Sequence, residues 1–317
     1  MVVGIERIYN KIHAAIVCLG DAEYALLYIP TKAPFSQVKD SLYHYDMICR
    51  KKDFERYIGM RQYDKNFKPG RYRIKNHMSA KDLVNILTRG LQTPVRVTFS
   101  HIRTKEDLAG KIARQIEADS LSLIKAMQLE RNVFTLTIPN TYEMWWNSTA
   151  PDFMKRMTTE SRKFWEGERT RQADSIGLTI PEVVVLASIV EKESAMNDEK
   201  QLIAGVYINR LHRRWPLQAD PTLIYACNDF TIKRVLNRHK NIDSPYNTYK
   251  YTGLPPGPIC IPSISSIDAV LNYSNHEYMY FCAKEDFSGY HVYAVSLQEH
   301  NRNARRYQRA FRKRNAN

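Results

Sequence analysis

The chain is short of the features that would assign it quickly, and each absence removes a class. No apolar run approaches the roughly 20 residues a membrane-spanning helix needs. The stretch Ile12 to Gly20 is apolar but short and interrupted by His13, with no basic, apolar and small-residue leader before it. The chain as written is therefore expected to be soluble. Phosphate-loop, dinucleotide-glycine and Gly-x-Ser-x-Gly patterns are missing, which disfavours nucleotide-dependent chemistry. The five cysteines, Cys18, Cys49, Cys227, Cys260 and Cys282, are scattered and odd in number, with no Cys-x-x-Cys spacing. Neither a zinc site nor a disulfide framework is indicated, so buried free thiols are expected, with no metal and no cofactor.

What is present suits a folded α+β protein. At 317 residues and 44% hydrophobic, the chain can bury a sizeable core divided among two or three structural units. The formal charge of +14 implies anionic surroundings: nucleic acid, an acidic lipid face or a negatively charged polymer. Charge alone does not choose among them. Much of it is local, in Arg302, Arg305, Arg306, Arg309, Arg312, Lys313 and Arg314, which form either a solvated basic helix or a dedicated binding surface.

The first third carries an internal echo. Segments 27–42, 72–87 and 97–112 superpose without gaps, each reading as a short strand, a turn and a helix start. Ile29, Val38 and Leu42 match Ile74, Leu83 and Leu87, and these match Phe99, Leu108 and Ile112. Ser79 and Thr104 occupy N-cap positions, with Asp82 and Asp107 in the first turn, where the helix dipole favours negative charge. Pro94, after Gly90, reads as a joint. From about 113 to 178 the chain reads as helical and charged. Its Trp145, Trp146, Phe153 and Trp165 are either sugar platforms or, more commonly, helix-packing groups. Ile180 to Trp215 reads as two helices, with Pro181 in the first turn of one and Asp198 with Gln201 as a capping box for the next. Tyr278–Ala283 and Tyr290–Val295 read as a hairpin turning at Gly289.

The stretch Leu186 to Ala195 is the most informative. On a helix Glu193 falls three after Val190, four after Ile189 and seven after Leu186, so it shares their apolar face. A carboxyl there is partly desolvated, and desolvation raises its pKa toward what a general acid needs. Spacing alone admits equally a surface glutamate at a frayed helix end. Glu191 lies about 200° around the helix and points away. A lone acid implies either a distant partner carboxylate or a substrate that supplies its own nucleophile. Downstream, Asp220 reads as a helix N-cap or a substrate contact. Gln218 beside it, and Ser244 to Ile259 with Tyr246, Asn247 and Tyr249 among prolines, offer the ring and amide mixture of sugar grooves. His291 could assist catalysis, although a strand histidine is more often a partnered one.

With these residues in view, the chain resembles the YceG-like family of endolytic murein transglycosylases. The resemblance rests on LASIVEKESA, VYINRL, LQADPTLIY, SPYNTYKYTGLPPGPI and YHVYAVSLQEHN in order from 186 to 301, with LYIPTKAPF and FKPGRYRI earlier. It implies a catalytic Glu193, backed by the Glu193-Ser194 pair typical of lytic transglycosylases, and substrate contacts at Ser194, Asn209, Gln218, Asp220, Tyr246, Asn247, Tyr249 and His291. It also implies an N-terminal segment at 1–20, a LysM-like module at 21–93 and a catalytic domain at 94–317. The implied reaction cleaves the MurNAc-β-1,4-GlcNAc bond within glycan strands to leave 1,6-anhydro ends, terminating nascent strands. A hydrolytic muramidase and a non-catalytic glycan-binding module are the alternatives. The implied partners are peptidoglycan strands and peptidoglycan synthases (penicillin-binding proteins), not nucleic acid. The implied location is the cytoplasmic membrane, facing the wall, with this chain the soluble part.

Overall fold

The computed structural model describes residues 13–61, 65–130 and 132–315. Of the expected N-terminal segment 1–20, residues 1–12 lie outside the described residues. The chain divides into two compact units. One comprises Met1–Thr98, Ala109–Lys125 and Thr141–Phe153, and the other Phe99–Leu108, Ala126–Asn140 and Met154–Asn317. Helices and small two-stranded sheets together make the fold α+β.

In the first unit, β1 (Tyr24–Ile29), α1 (Phe35–His44), α2 (Lys51–Arg61) and β2 (Gly70–Lys75) follow in order, and α3 (Ala80–Arg89) packs behind them. β1 and β2 pair antiparallel, Tyr24 opposite Lys75 through Ile29 opposite Gly70. Alternation sends Leu27, Ile29, Tyr72 and Ile74 into one core with Val38, Leu42, Phe54, Leu83 and Leu87. β3 (Val95–Thr98) instead pairs antiparallel with β4 (Thr141–Met144), a strand that the helical reading of 113–178 missed. A third helix, α4 (Lys105–Ala113), completes the echo. All nine superposed apolar positions are buried, none more than 3% exposed. Both expected N-caps form: Asp82 N–H donates to Ser79 Oγ at 3.2 Å and Asp107 N–H to Thr104 Oγ1 at 3.0 Å.

The expectation of free thiols fails at one pair. Cys18 and Cys49 form a disulfide across 31 residues of sequence. Their neighbours Val17 and Ile48 make an isolated antiparallel bridge, which brings the two Cα atoms to 5.7 Å. No local spacing could report a pairing made by tertiary contact. Cys227, Cys260 and Cys282 are free, and Cys260 is buried as expected.

The second unit takes in the start of α4, the end of α5 (Ser120–Gln128), α6 (Val133–Leu136), most of α7 (Ala150–Trp165) and α8 (Glu168–Ser175), with α4, α5 and α7 straddling the division. Phe153 and Trp165 are buried packing groups, while Trp145 is exposed and Trp146 meets Tyr28 edge-on at 5.1 Å. α9 (Ile180–Glu193) is the centre of the unit's core. Its start is fixed by a Thr179–Glu182 capping box that the sequence reading did not single out. Every residue from Val183 to Val190 is buried, so the helix is enclosed on all sides rather than along one stripe. Ser188 is accommodated because its hydroxyl donates to Val185 O and accepts from Ile259 N–H.

α10 (Lys200–His212) follows a 3₁₀ turn at Asn197–Glu199. The expected Asp198 and Gln201 capping box does not form. Glu199 occupies the cap without a side-chain bond, because its carboxylate is committed elsewhere. α11 (Asp220–Ala226), α12 (Asn237–Lys240) and α13 (Ile264–Leu271) lead to the expected hairpin, β5 (Tyr280–Ala283) with β6 (His291–Ala294). Gly289 turns it at φ 87°, a backbone angle glycine adopts freely. A 19-residue helix, α14 (Leu297–Asn315), closes the chain. Among the described residues no single helix is long and apolar enough to cross a membrane.

Candidate active site

Glu193 is the last residue of α9, where the packed helix gives way to extended backbone at Ser194. Its partner comes from α10: the buried Tyr207 donates its hydroxyl to Glu193 Oε1 at 2.5 Å. Burial pushes the Glu193 carboxyl up to about 7, and the nearby Asp220 carboxylate pushes the same way. The Tyr207 hydrogen bond and the Arg210 guanidinium oppose them without winning. A carboxyl with that pKa holds its proton near neutrality and can also take one back, as a single acid and base must. The frayed surface glutamate, which spacing left open, is excluded.

Glu191 is held in quite another way. Its Oε2 accepts from Lys200 Nζ at 3.1 Å and from the Ser263 and Ser266 hydroxyls at 2.5 Å each. Burial alone would raise its pKa, but those two hydroxyls and the ammonium outweigh it and hold the group below the usual range. Glu191 therefore pins α9 to α10 and α13 as a fixed anion. Glu191→Ala would leave the buried Lys200 ammonium unpaired. The expected cost is about 3–5 kcal/mol of stability, read from the shift in a urea unfolding curve.

Two loops stand beside Glu193. Gln218 N–H donates to Thr248 O at 3.0 Å, Ala219 N–H to Thr248 Oγ1 at 3.0 Å, and the Thr222 and Thr248 hydroxyls meet at 2.9 Å. This zipper joins 217–222 to 246–249. Asp220 does not cap α11. It lies within the helix, Ala219 is the N-cap, and Asp220 Oδ1 accepts the Tyr249 hydroxyl at 2.5 Å. Burial raises the Tyr249 pKa well above the ordinary phenol range, and its bond to Asp220 adds to the shift. Arg210 donates to Met279 O at 2.8 Å and to Leu217 O at 2.5 Å, fixing the base of the first loop. Gln218 is exposed between buried Leu217 and Ala219 and has φ 52°, a left-handed conformation unfavourable for a side chain of its size.

The remaining expected contacts sort by what already occupies them. The fully buried Asn247 spends its amide on Lys240 O and Ile242 O, both at 2.8 Å, and its oxygen accepts from Tyr249 N–H at 3.0 Å. It shapes the loop and has no donor left for a sugar. Asn209 donates to His276 O at 2.7 Å and Tyr278 O at 3.0 Å. One turn earlier, a Cβ on Gly205 would meet Ser274 O at 2.4 Å, so this face of α10 is closed against the 274–278 segment. In both side chains the amide nitrogen is spent on backbone carbonyls, so neither has a donor left for a sugar. Ser194 donates to Glu199 Oε2 at 3.2 Å, and the same carboxylate takes His291 Nδ1 at 2.8 Å and His291 N–H at 2.6 Å. His291 is thus a partnered strand histidine tied to the turn after Glu193. Tyr246 packs on Tyr225 at 4.7 Å and lines a cleft of about 600 Å³ with Arg103, Asn132, Phe230 and Pro256. Glu193 is not in that lining; α11 and the 244–249 loop connect the two.

Sequence reasoning missed Tyr207, Arg210, Thr222 and Thr248. A signal existed for the first two. In VYINRL, Tyr207 and Arg210 are three apart and share a helix face, while Asn209 is two from Tyr207 and turns away.

A half-buried carboxyl poised near neutrality, close enough to feel the Asp220 carboxylate and the Arg210 guanidinium, on an α+β framework, has the proton affinity that an acid/base group needs. The YceG-like family model matches residues 27–306, and the chain belongs to that family. A protein of Bacillus subtilis named endolytic murein transglycosylase is 28% identical over 305 residues, covering 88% of this chain and 83% of its own. One of the same name from Streptococcus pneumoniae is 39% identical over 133 residues, 41% of this chain but only 24% of that longer protein. A YceG-like protein from Listeria monocytogenes shares the fold at a TM-score of 0.58 and 24% identity, over 88% of this chain and 98% of the other.

Proposed function

We propose that the chain is a lytic transglycosylase that cleaves the MurNAc-β-1,4-GlcNAc bond inside peptidoglycan strands. The single observation that carries this reading is Glu193, raised to about 7 and facing no partner carboxylate at hydrogen-bond distance among the described residues. Glu193 gives its proton to the glycosidic oxygen as the bond breaks. The carboxylate then accepts the proton of the muramyl C6 hydroxyl, whose oxygen closes on the anomeric carbon to form the 1,6-anhydro end. The substrate thereby supplies the nucleophile that a second carboxylate would otherwise activate. Tyr207 holds the carboxyl, and Gln218, Tyr246 and Tyr249 meet the glycan. The murein transglycosylase names of the relatives support the substrate class.

The finer parts of the reading follow from it. The β1-α1-α2-β2 order with its antiparallel pair supports a LysM-like, glycan-binding role for residues 21–93. Action at the wall-facing side of the cytoplasmic membrane, beside peptidoglycan synthases and on nascent strands, is the setting such an activity requires.

Mass spectrometry of digested peptidoglycan tests the reaction. The expected products end in anhydro sugars, lighter by one water than reducing ends. Reducing ends alone would replace the lyase with a muramidase using Asp220 to activate water. Binding without cleavage by the wild type would replace both with a glycan-binding module. Gln218 makes a separate prediction. Gln218→Gly removes the side chain while suiting φ 52°, so thermal stability should hold or rise. KM for glycan strands should rise by roughly 2- to 10-fold, the worth of one hydrogen bond. Unchanged KM would remove Gln218 from the groove.

A further inference from the structure

The last helix carries a charge pattern that the proposed catalytic role does not use. At 100° per residue, Arg302, Arg305, Arg306, Arg309, Arg312 and Lys313 fall within about 120° of arc and run for about 17 Å along α14. All six are exposed. The only other residue in that arc is Gln298. Opposite it lie buried Asn303 and the half-buried Tyr307, with Tyr307 stacking on Phe311 at 6.2 Å and meeting Phe287 at 5.7 Å. The helix is therefore fixed by one face and presents a row of cations on the other.

Helix stability does not account for this row. Cations in the last turn suit the negative end of the helix dipole, which covers Arg312 and Lys313. The dipole fades within a turn and leaves Arg302, Arg305, Arg306 and Arg309 unexplained. Arg306 pairs with Glu285, and the helix's one acidic residue, Glu299, is turned to its own N-terminus, where it accepts from Val295 N–H at 3.3 Å. The remaining cations repel one another along a single stripe, a cost of similar size to an ordinary favourable pair at each spacing of three or four.

We propose that this stripe docks the protein on an anionic phospholipid surface. The stripe lies on the exposed face of a single helix, apart from the two clefts lined from residues 103–259. One exposed helix face with a long row of like charges matches a flat layer of mobile headgroup charges, which can meet the five cations other than Arg306 together. No apolar side chain shares the arc, so the contact is electrostatic adsorption without insertion.

The test is co-sedimentation of the full chain with vesicles of phosphatidylglycerol and phosphatidylcholine, with pure phosphatidylcholine as control. Wild type should partition to the anionic vesicles in dilute buffer and come off as salt screens the contact. Arg302→Gln, Arg305→Gln, Arg309→Gln and Arg312→Gln combined should weaken partitioning by about 10²- to 10³-fold, at about 1 kcal/mol per cation. Circular dichroism checks that the helix remains, and cleavage of soluble glycan strands should be unchanged, so this proposal and the catalytic one fail separately. Equal binding to neutral vesicles, or wild-type partitioning by the quadruple variant, overturns it. So does tighter binding to a soluble polyglycerol phosphate than to vesicles at equal phosphate, which would assign the stripe to a wall polymer instead.

Discussion

Glu193→Gln should leave a folded protein whose glycan-cleaving rate is lower by about 10²- to 10⁴-fold, the usual loss when a general acid is removed. Glutamine keeps the shape and an oxygen for the Tyr207 hydroxyl, so the surroundings have no reason to rearrange. Stability gives an independent check of sign. The Glu193 pKa is about 7 in the folded chain against 4.5 ordinarily, so folding favours the protonated form. That contribution is complete below about pH 4.5 and is lost as pH rises through 7, where the folded protein must carry a desolvated carboxylate. The glutamine variant carries no such charge. Its melting temperature at pH 8 should therefore equal or exceed that of the wild type, while its activity stays near background. Full activity in this variant, with Glu191→Gln inactive, would move the chemistry to the other glutamate.

The pH dependence of cleavage is the second large effect. If Glu193 must begin protonated, kcat/KM should fall about tenfold per pH unit above a midpoint near 7, measured on purified strands between pH 5 and 9. Tyr207→Phe removes the hydrogen bond that favours the ionised carboxyl, so the descending limb should move to higher pH. A merely structural Tyr207 would change the rate and leave the limb in place. A flat profile across this range would place the transferred proton on some other group.

Much of the scaffold was legible because it depends on local order. The nine repeating apolar positions, the Ser79 and Thr104 caps and the turn at Gly289 are set by side-chain periodicity and by backbone preference over a few residues. The strand at 141–144 was not, because four residues inside a charged region give too short a pattern to read. The expected substrate contacts divide in the same way. Gln218, Asp220, Tyr246 and Tyr249 keep exposed or half-buried side chains, while the amide nitrogens of Asn209 and Asn247 are consumed by backbone carbonyls. An amide's availability depends on which carbonyls the fold leaves unpaired around it, and that is decided by segments as distant as 276 from 209.

By itself, the sequence determined that Glu193 and Glu191 point apart, because 100° per residue is a property of any helix. It also placed Glu193 on the face of Leu186, Ile189 and Val190, and the resemblance of the Glu193-Ser194 pair favoured it over Glu191. Only the tertiary structure decided what those directions mean. It desolvated one carboxyl beside a neighbouring carboxylate, which together raise it to about 7 against the opposing Tyr207 hydrogen bond and Arg210 guanidinium, and met the other with an ammonium and two hydroxyls that keep it ionised. The physical reason is that a carboxyl's proton affinity is set by the dielectric and the charges within a few ångströms. Those neighbours come from Tyr207 and Asp220 on one side and from Lys200, Ser263 and Ser266 on the other, brought together only by packing.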